Sequence, residues 1–343
     1  MASETAPAKF QPDKTRKTVL ITGCSAHGLG HALAIAFHNA GLRVFATART
    51  PDKMAELQAL GIECLRLDVL DEESIKLCVE TVRGLTRRDG EVEGRLDCLV
   101  NNAGGGYNMP VADISIPEAK ALFDLNVWSC IAVTQAFLPL LINAAKPDNS
   151  ASSSSSTATT TSTSTASRHH APSLILNNTS VSSVEPTPHN SAYHASKAAS
   201  AMFSTHMRIE LQPFNIHVID LKTGCVHSNF HANHQGGNAA LPEGSIYAPV
   251  KEQTESAMRN AFPIREDPDK WARDVVSDVL RPWQKAATRK SSPLPLEIWR
   301  GTGAGRTWFY NCTFWPVGWW DEWWRKAVGL DLLREKVRKS YGA

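Results

Sequence analysis

The sequence predicts an α/β fold built on a single doubly wound parallel sheet with helices on both faces. From Lys17 to about Gly224, short apolar runs alternate with amphipathic helical patterns, as expected for successive βαβ units. The first apolar run, "TVLIT" at 18–22, leads through a glycine-rich turn into a helix-forming run. The chain has 343 residues, of which 42% are hydrophobic and 20% charged, so it has ample material for a buried core.

Each predicted element has its own pattern. Strands are predicted where short apolar runs occur, at 18–22, 43–48, 63–69, 96–104, 173–178 and 216–221. Helices are predicted in the intervals, at 31–41, around 54–60, and at 72–82, 118–141 and 192–211. Gly41 is a suitable end for the first helix, because glycine is favoured just beyond a helix C-terminus.

The composition argues against several classes of protein. A formal net charge of +2 is not that of a typical nucleic-acid-binding protein, which carries a strong basic excess. The seven cysteines are scattered and include no Cys-x-x-Cys pair, so we expect reduced thiols rather than disulfides or a zinc site. The chain has no uninterrupted apolar window of about 18 residues, which argues against an ordinary transmembrane helix.

The glycine-rich turn after the first strand predicts a dinucleotide site. Gly23, Gly28 and Gly30 stand between strand and helix, where glycines let the backbone approach a pyrophosphate. A tight turn without a ligand is the alternative. The second strand is followed by Arg49 and no acidic residue, which favours NADPH over NADH because an arginine pairs with a 2′-phosphate. An ordinary solvated arginine is the other interpretation.

A tyrosine and a lysine lie one helical turn apart in "NSAYHASKAA". Tyr193 and Lys197 are four residues apart, so they share one face of the predicted helix. We expect the ammonium group to lower the pKa of the phenol, so that Tyr193 exchanges a proton near neutral pH. An exposed, inert helix face is the alternative.

Together these motifs resemble the short-chain dehydrogenase/reductase family over about residues 17–230. They occur in the family's order, which is what makes the resemblance specific. The motifs are "TGCSAHGLG", "NNAG" at 101–104, "FDLN" ending at Asn126, Ser180 thirteen residues before Tyr193, Tyr193-x-x-x-Lys197, and "TGCV" at 223–226.

The resemblance implies a role for each catalytic candidate. Tyr193 is the expected general acid toward the substrate carbonyl, and Lys197 is expected to depress its pKa and bind the nicotinamide ribose. Ser180 is expected to hydrogen-bond the carbonyl oxygen. Asn126 is expected to hold a water that links Lys197 to solvent. The decoys Thr179, Ser182 and Ser183 lack the family's spacing to Tyr193.

The resemblance also implies the residues that bind NADP. They are Thr22, Gly23, Ser25, His27, Gly28, Leu29, Gly30, Arg49, Asp68, Val69, Asn102, Ala103, Gly104, Tyr193, Lys197, Val226 and Ser228. For His27, phosphate contact and a solvated loop position are both open.

Two departures from the common family pattern point to one branch. The phosphate loop has one extra residue between Gly23 and Gly28, and Thr223-Gly224 replaces the usual Pro-Gly. Both features are similar to those of fungal NADPH-dependent 1-acyldihydroxyacetone phosphate reductases.

Shifts in composition predict the domain boundaries. Residues 1–16 are polar, without the apolar core of a secretory signal, and are expected to be a flexible arm. Residues 17–300 form the expected Rossmann-fold reductase domain. Within it, the Ser/Thr-rich tract of 146–172 is expected to be a disordered insertion, and 225–270 to be a substrate lid.

The lid raises two questions of its own. His227, His231 and His234 have no cysteine or carboxylate beside them, so we expect no metal site. Lys251, Arg259 and Arg265 are candidates for contact with a substrate phosphate, and the sequence does not choose among them.

The tail of residues 301–343 holds six of the ten tryptophans and a basic end. Tryptophan favours the membrane interface, so we expect this tail to be a peripheral membrane anchor rather than a span. A tryptophan-rich contact with protein, either in a homo-oligomer or on the domain itself, is the alternative. The resemblance implies the cytoplasmic face of the endoplasmic reticulum or a lipid droplet, with the cytosol as the alternative.

These observations predict an NADPH-dependent ketone reductase. The branch resemblance implies reduction of 1-acyldihydroxyacetone phosphate to 1-acylglycerol 3-phosphate. A ketoreductase of fungal secondary metabolism, acting on a polyketide, is an enzymatic rival with the same core motifs. A non-catalytic NADPH-sensing scaffold is a distant rival, because such a protein has no need of Ser180, Tyr193, Lys197 and Asn126 together.

Overall fold

A computed structural model describes residues 16–88, 92–146, 171–229, 239–260, 264–286, 293–312, 321–327 and 329–341. The predictions for the N-terminal arm and for the Ser/Thr-rich insertion lie almost wholly outside these residues. His231, His234 and the three tryptophans at 315, 319 and 320 also lie outside them.

The predicted doubly wound sheet is confirmed. Seven strands, all paired in parallel, lie in the order β3-β2-β1-β4-β5-β6-β7. Their bounds are β1 Thr18–Thr22, β2 Arg43–Ala48, β3 Glu63–Arg66, β4 Cys98–Asn101, β5 Ser173–Asn178, β6 Ile216–Thr223 and β7 Glu297–Arg300. The sequence did not predict β7, because "EIWR" is too short a run to recognise without its neighbour β6.

The helices alternate with the strands along the chain. Their bounds are α1 Leu29–Asn39, α2 Ala55–Ala59, α3 Glu72–Thr86, α4 Ile116–Phe123, α5 Ser129–Ala145, α6 Ser191–Glu210, α7 Lys251–Asn260, α8 Pro268–Ala286, α9 Ala304–Asn311, α10 Asp321–Ala327 and α11 Leu330–Tyr341. Gly41 follows α1 with a φ of +91°, a conformation that favours glycine and ends the helix as expected.

The core lies on both faces of the sheet. On one face, Phe37 of α1 and the two tryptophans of α8, Trp271 and Trp283, pack on strand residues such as Ile21. On the other, Phe137 of α5 packs with α3 and β4. Burying each such large apolar side chain contributes on the order of 1.5–3 kcal/mol, which accounts for the nearly continuous apolar strands.

One helical stretch among the described residues, Ile116–Ala145, is long and apolar enough to cross a membrane by those two criteria alone. It comprises α4, a π-helical turn at Asp124–Trp128, and α5. Val133, Phe137 and Leu140 in this stretch are at most 1% exposed and pack in the core. Packing on the sheet therefore accounts for its apolar composition.

The carboxyl ends of the central strands share one edge of the sheet. The order of the strands reverses between β1 and β4, and open α/β sheets bind ligands at such a point. The chain after β7 is brought to the same edge by a close approach of two glycines. A Cβ atom at Gly224 would lie 2.5 Å from the Thr302 carbonyl oxygen, and Gly301 has a φ of +100°. The Cys225 amide donates to that same Thr302 oxygen at 2.9 Å.

Candidate active site

A cavity of about 1300 Å³ opens at the carboxyl edge of the sheet. It runs from the glycine-rich turn after β1, past the ends of β4 and β5, to the segment that follows β6. Single-ligand pockets typically have volumes of about 300–1,000 Å³, so this cavity has room for a dinucleotide and a second ligand.

The glycine-rich turn has the close packing that a dinucleotide cradle requires. Gly23 has a φ of +75°, and a Cβ atom there would lie 3.0 Å from the Ala103 Cα. A Cβ atom at Gly30 would lie 2.5 Å from the Gly23 oxygen. His27 also has a positive φ, of 61°. Gly23, Ser25, His27, Gly28 and Leu29 line the cavity, so the residues present fit a pyrophosphate at the N-terminus of α1.

Two residues predicted to bind the cofactor pack against the glycine-rich turn outside the cavity. Thr22 and Gly30 do not line the cavity. The Thr22 hydroxyl oxygen accepts hydrogen bonds from the Asn102 and Ala103 amides, both at 2.9 Å. The Asn102 side-chain amide in turn donates to the Thr22 carbonyl oxygen at 2.8 Å. Thr22 thus joins the end of β1 to the segment after β4, where Asn102, Ala103 and Gly104 line the cavity.

The far end of the cavity is positively charged. Arg49, which follows β2, lines it together with Asp68 and Val69. Lys53 lines it too, and its carbonyl oxygen accepts a hydrogen bond of 2.9 Å from the Ala26 amide. Sequence reasoning missed Lys53, although its spacing of four residues from Arg49 was an available signal.

Ser180, Tyr193 and Lys197 are brought together in the middle of the cavity, and each is at most 9% exposed. Ser180 Oγ donates to the Thr223 carbonyl oxygen at 3.2 Å and accepts from the Ser182 amide at 3.1 Å. Ser180 and Tyr193 also hydrogen-bond to each other. The Lys197 ammonium donates to the Asn178 carbonyl oxygen at 2.9 Å and lies 5.9 Å from the centre of the Tyr193 ring.

The expected lowering of the Tyr193 pKa is wrong for this geometry. Burial raises the pKa of Tyr193 to about 12, and the hydrogen bond with Ser180 only partly opposes that rise. Burial also lowers the pKa of Lys197 to about 8. The physical reason is that removing water disfavours the charged form of both groups, whereas the hydrogen bond of Lys197 is directed to Asn178 rather than to the phenol. Tyr193 is therefore a protonated phenol at neutral pH.

Asn126 lies in the π-helical turn beside the cavity and does not line it. Its side chain accepts from the Gly105 amide at 2.8 Å and donates to the Gly105 oxygen at 3.0 Å and to Ser196 Oγ at 2.9 Å. Its carbonyl oxygen accepts from Ser200 Oγ at 2.8 Å. A Cβ atom at Gly104 would approach both Asn126 Oδ1, at 3.1 Å, and Lys197 Nζ, at 3.6 Å. Asn126 is thus close to Lys197, and its hydrogen bonds join the segment after β4 to α6.

The opposite end of the cavity combines charged and apolar groups. Of the three basic candidates in the segment predicted to be a lid, Arg265 lines the cavity, whereas Lys251 and Arg259 lie 3.8 and 3.6 Å from Glu255 carboxylate oxygens. Val226 and Ser228 line the cavity. His227 does not, and the described residues include no cluster of three or more potential metal ligands.

The first part of the tail also forms a wall of this cavity. Arg306 and Thr307 of α9 line it, and both contact the Glu185 carboxylate, Arg306 at 3.2 Å. Trp323 of α10 lines it as well and is 52% exposed. Sequence reasoning missed Glu185, Arg306 and Thr307, because residues so far apart in the chain show no common pattern.

The chain is similar to known proteins over most of its length. The family model described as short chain dehydrogenase matches residues 17–165 and 149–238. A short-chain dehydrogenase/reductase of Pestalotiopsis microspora is 43% identical over 326 residues, 94% of this chain and 98% of the relative. An NADPH-dependent 1-acyldihydroxyacetone phosphate reductase of Schizosaccharomyces pombe is 32% identical over 299 residues, 85% of this chain and 89% of the relative.

Solved structures have the same fold. A short-chain dehydrogenase from Streptomyces avermitilis is 25% identical with a TM-score of 0.64, over 87% of this chain and 92% of that one. An alcohol dehydrogenase from Thermococcus sibiricus, complexed with 5-hydroxy-NADP, is 21% identical with a TM-score of 0.56, over 83% of this chain and 96% of that one.

Proposed function

The chain belongs to the short-chain dehydrogenase/reductase family, and we propose that it is an NADPH-dependent reductase that converts a ketone to a secondary alcohol. The observation that carries this proposal is the meeting of Ser180, Tyr193 and Lys197 in one cavity with the glycine-rich turn. A non-catalytic NADPH-sensing scaffold would not need this meeting, and it stays a distant alternative.

In this proposal the chain's own residues orient the ketone and supply its proton. NADPH, when bound, supplies the hydride. Ser180 Oγ accepts from the Ser182 amide, and its single hydroxyl hydrogen, which is directed to the Thr223 carbonyl oxygen when no ketone is bound, turns to the ketone oxygen, where negative charge develops. Tyr193 gives its phenolic proton to that oxygen, and its raised pKa keeps the proton in place at neutral pH. Lys197, positively charged below pH 8, stabilises the phenolate that is left.

The choice of NADPH over NADH is supported by charge. Arg49 and Lys53 line the end of the cavity beyond the glycine-rich turn, where two cations favour a 2′-phosphate. Asp68 lies on the same wall, but it follows β3 and not β2, and it accepts a hydrogen bond from the Leu70 amide at 3.1 Å. The Schizosaccharomyces pombe relative is an NADPH-dependent reductase, which agrees with this choice.

We propose 1-acyldihydroxyacetone phosphate as the ketone and 1-acylglycerol 3-phosphate as its product. Arg265 and Arg306 provide positive charge for the phosphate, while Ile264 and Trp323 provide an apolar rim for the acyl chain.

One observation favours the second candidate, a neutral polyketide-like ketone of fungal secondary metabolism. The Glu185 carboxylate lies 3.2 Å from Arg306 and so neutralises part of the charge that a phosphate would need.

The tail is proposed to hold the protein at a membrane surface, on the cytoplasmic face of the endoplasmic reticulum or a lipid droplet. Trp308 and Phe309 of α9 are about half exposed, at 48% and 52%, and tryptophan favours such interfaces. The alternative of a cytosolic protein has support as well, since Lys336 of α11 hydrogen-bonds the Pro249 oxygen and part of the tail thus packs on the domain.

We also propose a homo-oligomer. Trp128, at the end of the π-helical turn before α5, and Phe203 of α6 meet edge to face with ring centres 5.9 Å apart, and Trp128 and Met202 are 54% and 60% exposed. Exposed aromatic and methionine side chains are typical of protein interfaces. Analytical ultracentrifugation of the protein and of Trp128→Glu tests this, because a charged residue at the centre of the interface would produce a monomer.

The experiment for the function follows NADPH absorbance with purified protein in detergent. 1-Acyldihydroxyacetone phosphate and a small polyketide-like ketone are offered separately, and Tyr193→Phe is the control. Turnover of the acyl phosphate that vanishes in the variant supports the glycerolipid reductase. Turnover of the neutral ketone alone supports the second candidate, a ketoreductase of fungal secondary metabolism. Unimpaired turnover by Tyr193→Phe would contradict the mechanism.

A further inference from the structure

A buried ion pair lies beneath the loop that carries Ser180. Asp220 and Lys222 are two residues apart on β6, so both side chains project from the same face of the sheet. Lys222 Nζ lies 2.7 Å from Asp220 Oδ2, and the two side chains are only 4% and 8% exposed. A buried ion pair gains little net stability, because the cost of desolvating both charges offsets their attraction.

Each member of the pair contacts the chain on one side of Ser180. Thr179, immediately before Ser180, donates its hydroxyl hydrogen to Asp220 Oδ1. Lys222 Nζ donates to Ser183 Oγ at 2.9 Å, and Ser183 Oγ donates to the Ser180 carbonyl oxygen at 2.7 Å. The ion pair is therefore connected to the backbone at Ser180 in two places. Asp220 binds the side chain of Thr179, and Lys222 binds Ser183, which in turn binds the Ser180 carbonyl oxygen.

The same strand also contacts the side chain of Ser180. Thr223, which follows Lys222, accepts the hydrogen bond from Ser180 Oγ at 3.2 Å. Thr223 Oγ1 in turn donates to Asn178 Oδ1 at 2.5 Å, and the Asn178 carbonyl oxygen accepts from Lys197. The end of β6 is thus connected to both Ser180 and Lys197.

We propose that Asp220 and Lys222 are positioning residues, whose ion pair sets the place of Ser180 Oγ relative to Tyr193. This rests on the proposed function, in which Ser180 binds the ketone oxygen. A hydroxyl oriented by a rigid loop stabilises developing charge without reorganising during the reaction. The negative charge of Asp220 also opposes the effect of burial on the pKa of Lys197.

The test compares a variant without the pair with one that loses a distant ion pair. Asp220→Leu/Lys222→Met removes both charges at once, so that neither is left buried alone. Arg43→Met/Glu63→Leu is the matched control, because it removes the 2.6 Å ion pair between β2 and the edge strand β3, away from Ser180. The melting temperature and the Kd of NADPH are measured first, to show that each variant is folded.

The first readout is amide hydrogen exchange of residues 176–187, which needs no substrate. We expect exchange in this segment to become about tenfold faster in Asp220→Leu/Lys222→Met and to stay unchanged in the control. If the first variant does not fold, Ser183→Ala replaces it, since it removes the connection from Lys222 through Ser183 Oγ to the Ser180 carbonyl oxygen and keeps both charges of the pair. Unchanged exchange in the folded variant would overturn the proposal.

The second readout is the effect of Ser180→Ala in each background, on whichever ketone is reduced. In the unaltered protein and in the control we expect Ser180→Ala to lower kcat by about 10²–10³-fold. In the variant without the Asp220–Lys222 pair we expect Ser180→Ala to lower kcat by less than about tenfold, because the Ser180 hydroxyl is already misplaced. Equal losses in all three backgrounds would overturn the positioning role. No loss even in the unaltered protein would instead contradict the proposed function of Ser180.

Discussion

The Lys197 ammonium lies 5.9 Å from the centre of the Tyr193 ring, and its hydrogen bond goes to the Asn178 carbonyl oxygen at 2.9 Å. The two residues share a helix face, but their contact is not a hydrogen bond between ammonium and phenol. Burial of both groups acts on their pKa values in opposite directions, raising that of Tyr193 to about 12 and lowering that of Lys197 to about 8.

The first prediction is that ketone reduction slows as the pH rises through about 8. Lys197 loses its proton there, and the phenolate formed by proton transfer loses its nearest positive charge. Oxidation of the alcohol needs a phenolate at the start, so its rate rises with pH over the same range. The pH profiles of kcat/KM in both directions measure this. A reduction rate that stays constant up to pH 10 would contradict the assignment of Lys197.

Tyr193→Phe should lower kcat for reduction by about 10²–10⁴-fold, since the phenylalanine ring has no proton to give. The Kd of NADPH, followed by its fluorescence, should change little. A variant that loses NADPH binding to the same extent would show that Tyr193 holds the cofactor rather than protonating the ketone.

Cofactor preference should depend on Arg49. Arg49→Asp replaces a cation with a carboxylate, so we expect the Kd of NADPH to rise about 10–100-fold, while that of NADH changes little. Arg66→Asp is the matched control, because Arg66 is exposed at the end of β3 and does not line the cavity. Isothermal titration with both dinucleotides gives the comparison. Equal loss of both dinucleotides in Arg49→Asp would mean that Arg49 supports the fold, not the 2′-phosphate.

His194 should make the protein sensitive to acid. Burial lowers its pKa from 6.5 to about 4, and its Nε2 lies 2.6 Å from Thr187 Oγ1. Between these pH values the unfolded chain binds a proton at His194 that the folded protein does not, so stability falls as the pH drops from 6.5 to 4. The loss attributable to this group is up to about 3 kcal/mol.

The measurement is urea unfolding at pH 6.5 and pH 4 for the protein and for His194→Gln. We expect the variant to lose less stability than the unaltered protein across this interval. His206→Gln on the same helix is the control, because the His206 side chain is 62% exposed. Identical pH dependence in His194→Gln and the unaltered protein would refute the prediction.

Two glycines should respond to alanine in opposite ways. Gly30→Ala places a Cβ atom 2.5 Å from the Gly23 oxygen and the Asn102 side-chain nitrogen, so we expect a loss of about 1–3 kcal/mol and of NADPH binding. Gly84 lies in α3 with nothing within 4 Å of the added atom, so Gly84→Ala should stabilise the fold by about 0.5–1 kcal/mol. Thermal unfolding of both variants decides this. A Gly30→Ala variant as stable as the unaltered protein would show that the glycine-rich turn can open without cost.

The strands were the most predictable part of the fold. β1, β2 and β5 have the bounds expected from their apolar runs, because a strand buried on both faces leaves a continuous apolar pattern in the chain. β3 ends at Arg66, earlier than expected, because Leu67 and Val69 of "LDV" are still buried although they follow the last paired residue of the strand. An apolar run in the sequence indicates which residues are buried, and buried residues can continue past the last hydrogen-bonded pair of a strand.

The candidate site was predictable where its residues are close in the chain. The sequence by itself determined the doubly wound sheet, the glycine-rich turn, and the shared helix face of Tyr193 and Lys197, because helical and strand periodicity are local properties. Only the tertiary structure decided that Arg306 and Thr307 of the tail meet Glu185, and that Asp220 and Lys222 bracket the Ser180 loop. It also decided the direction of the Tyr193 pKa shift. Burial and contacts between distant segments exist only after the chain has folded, because both depend on which elements pack against each other.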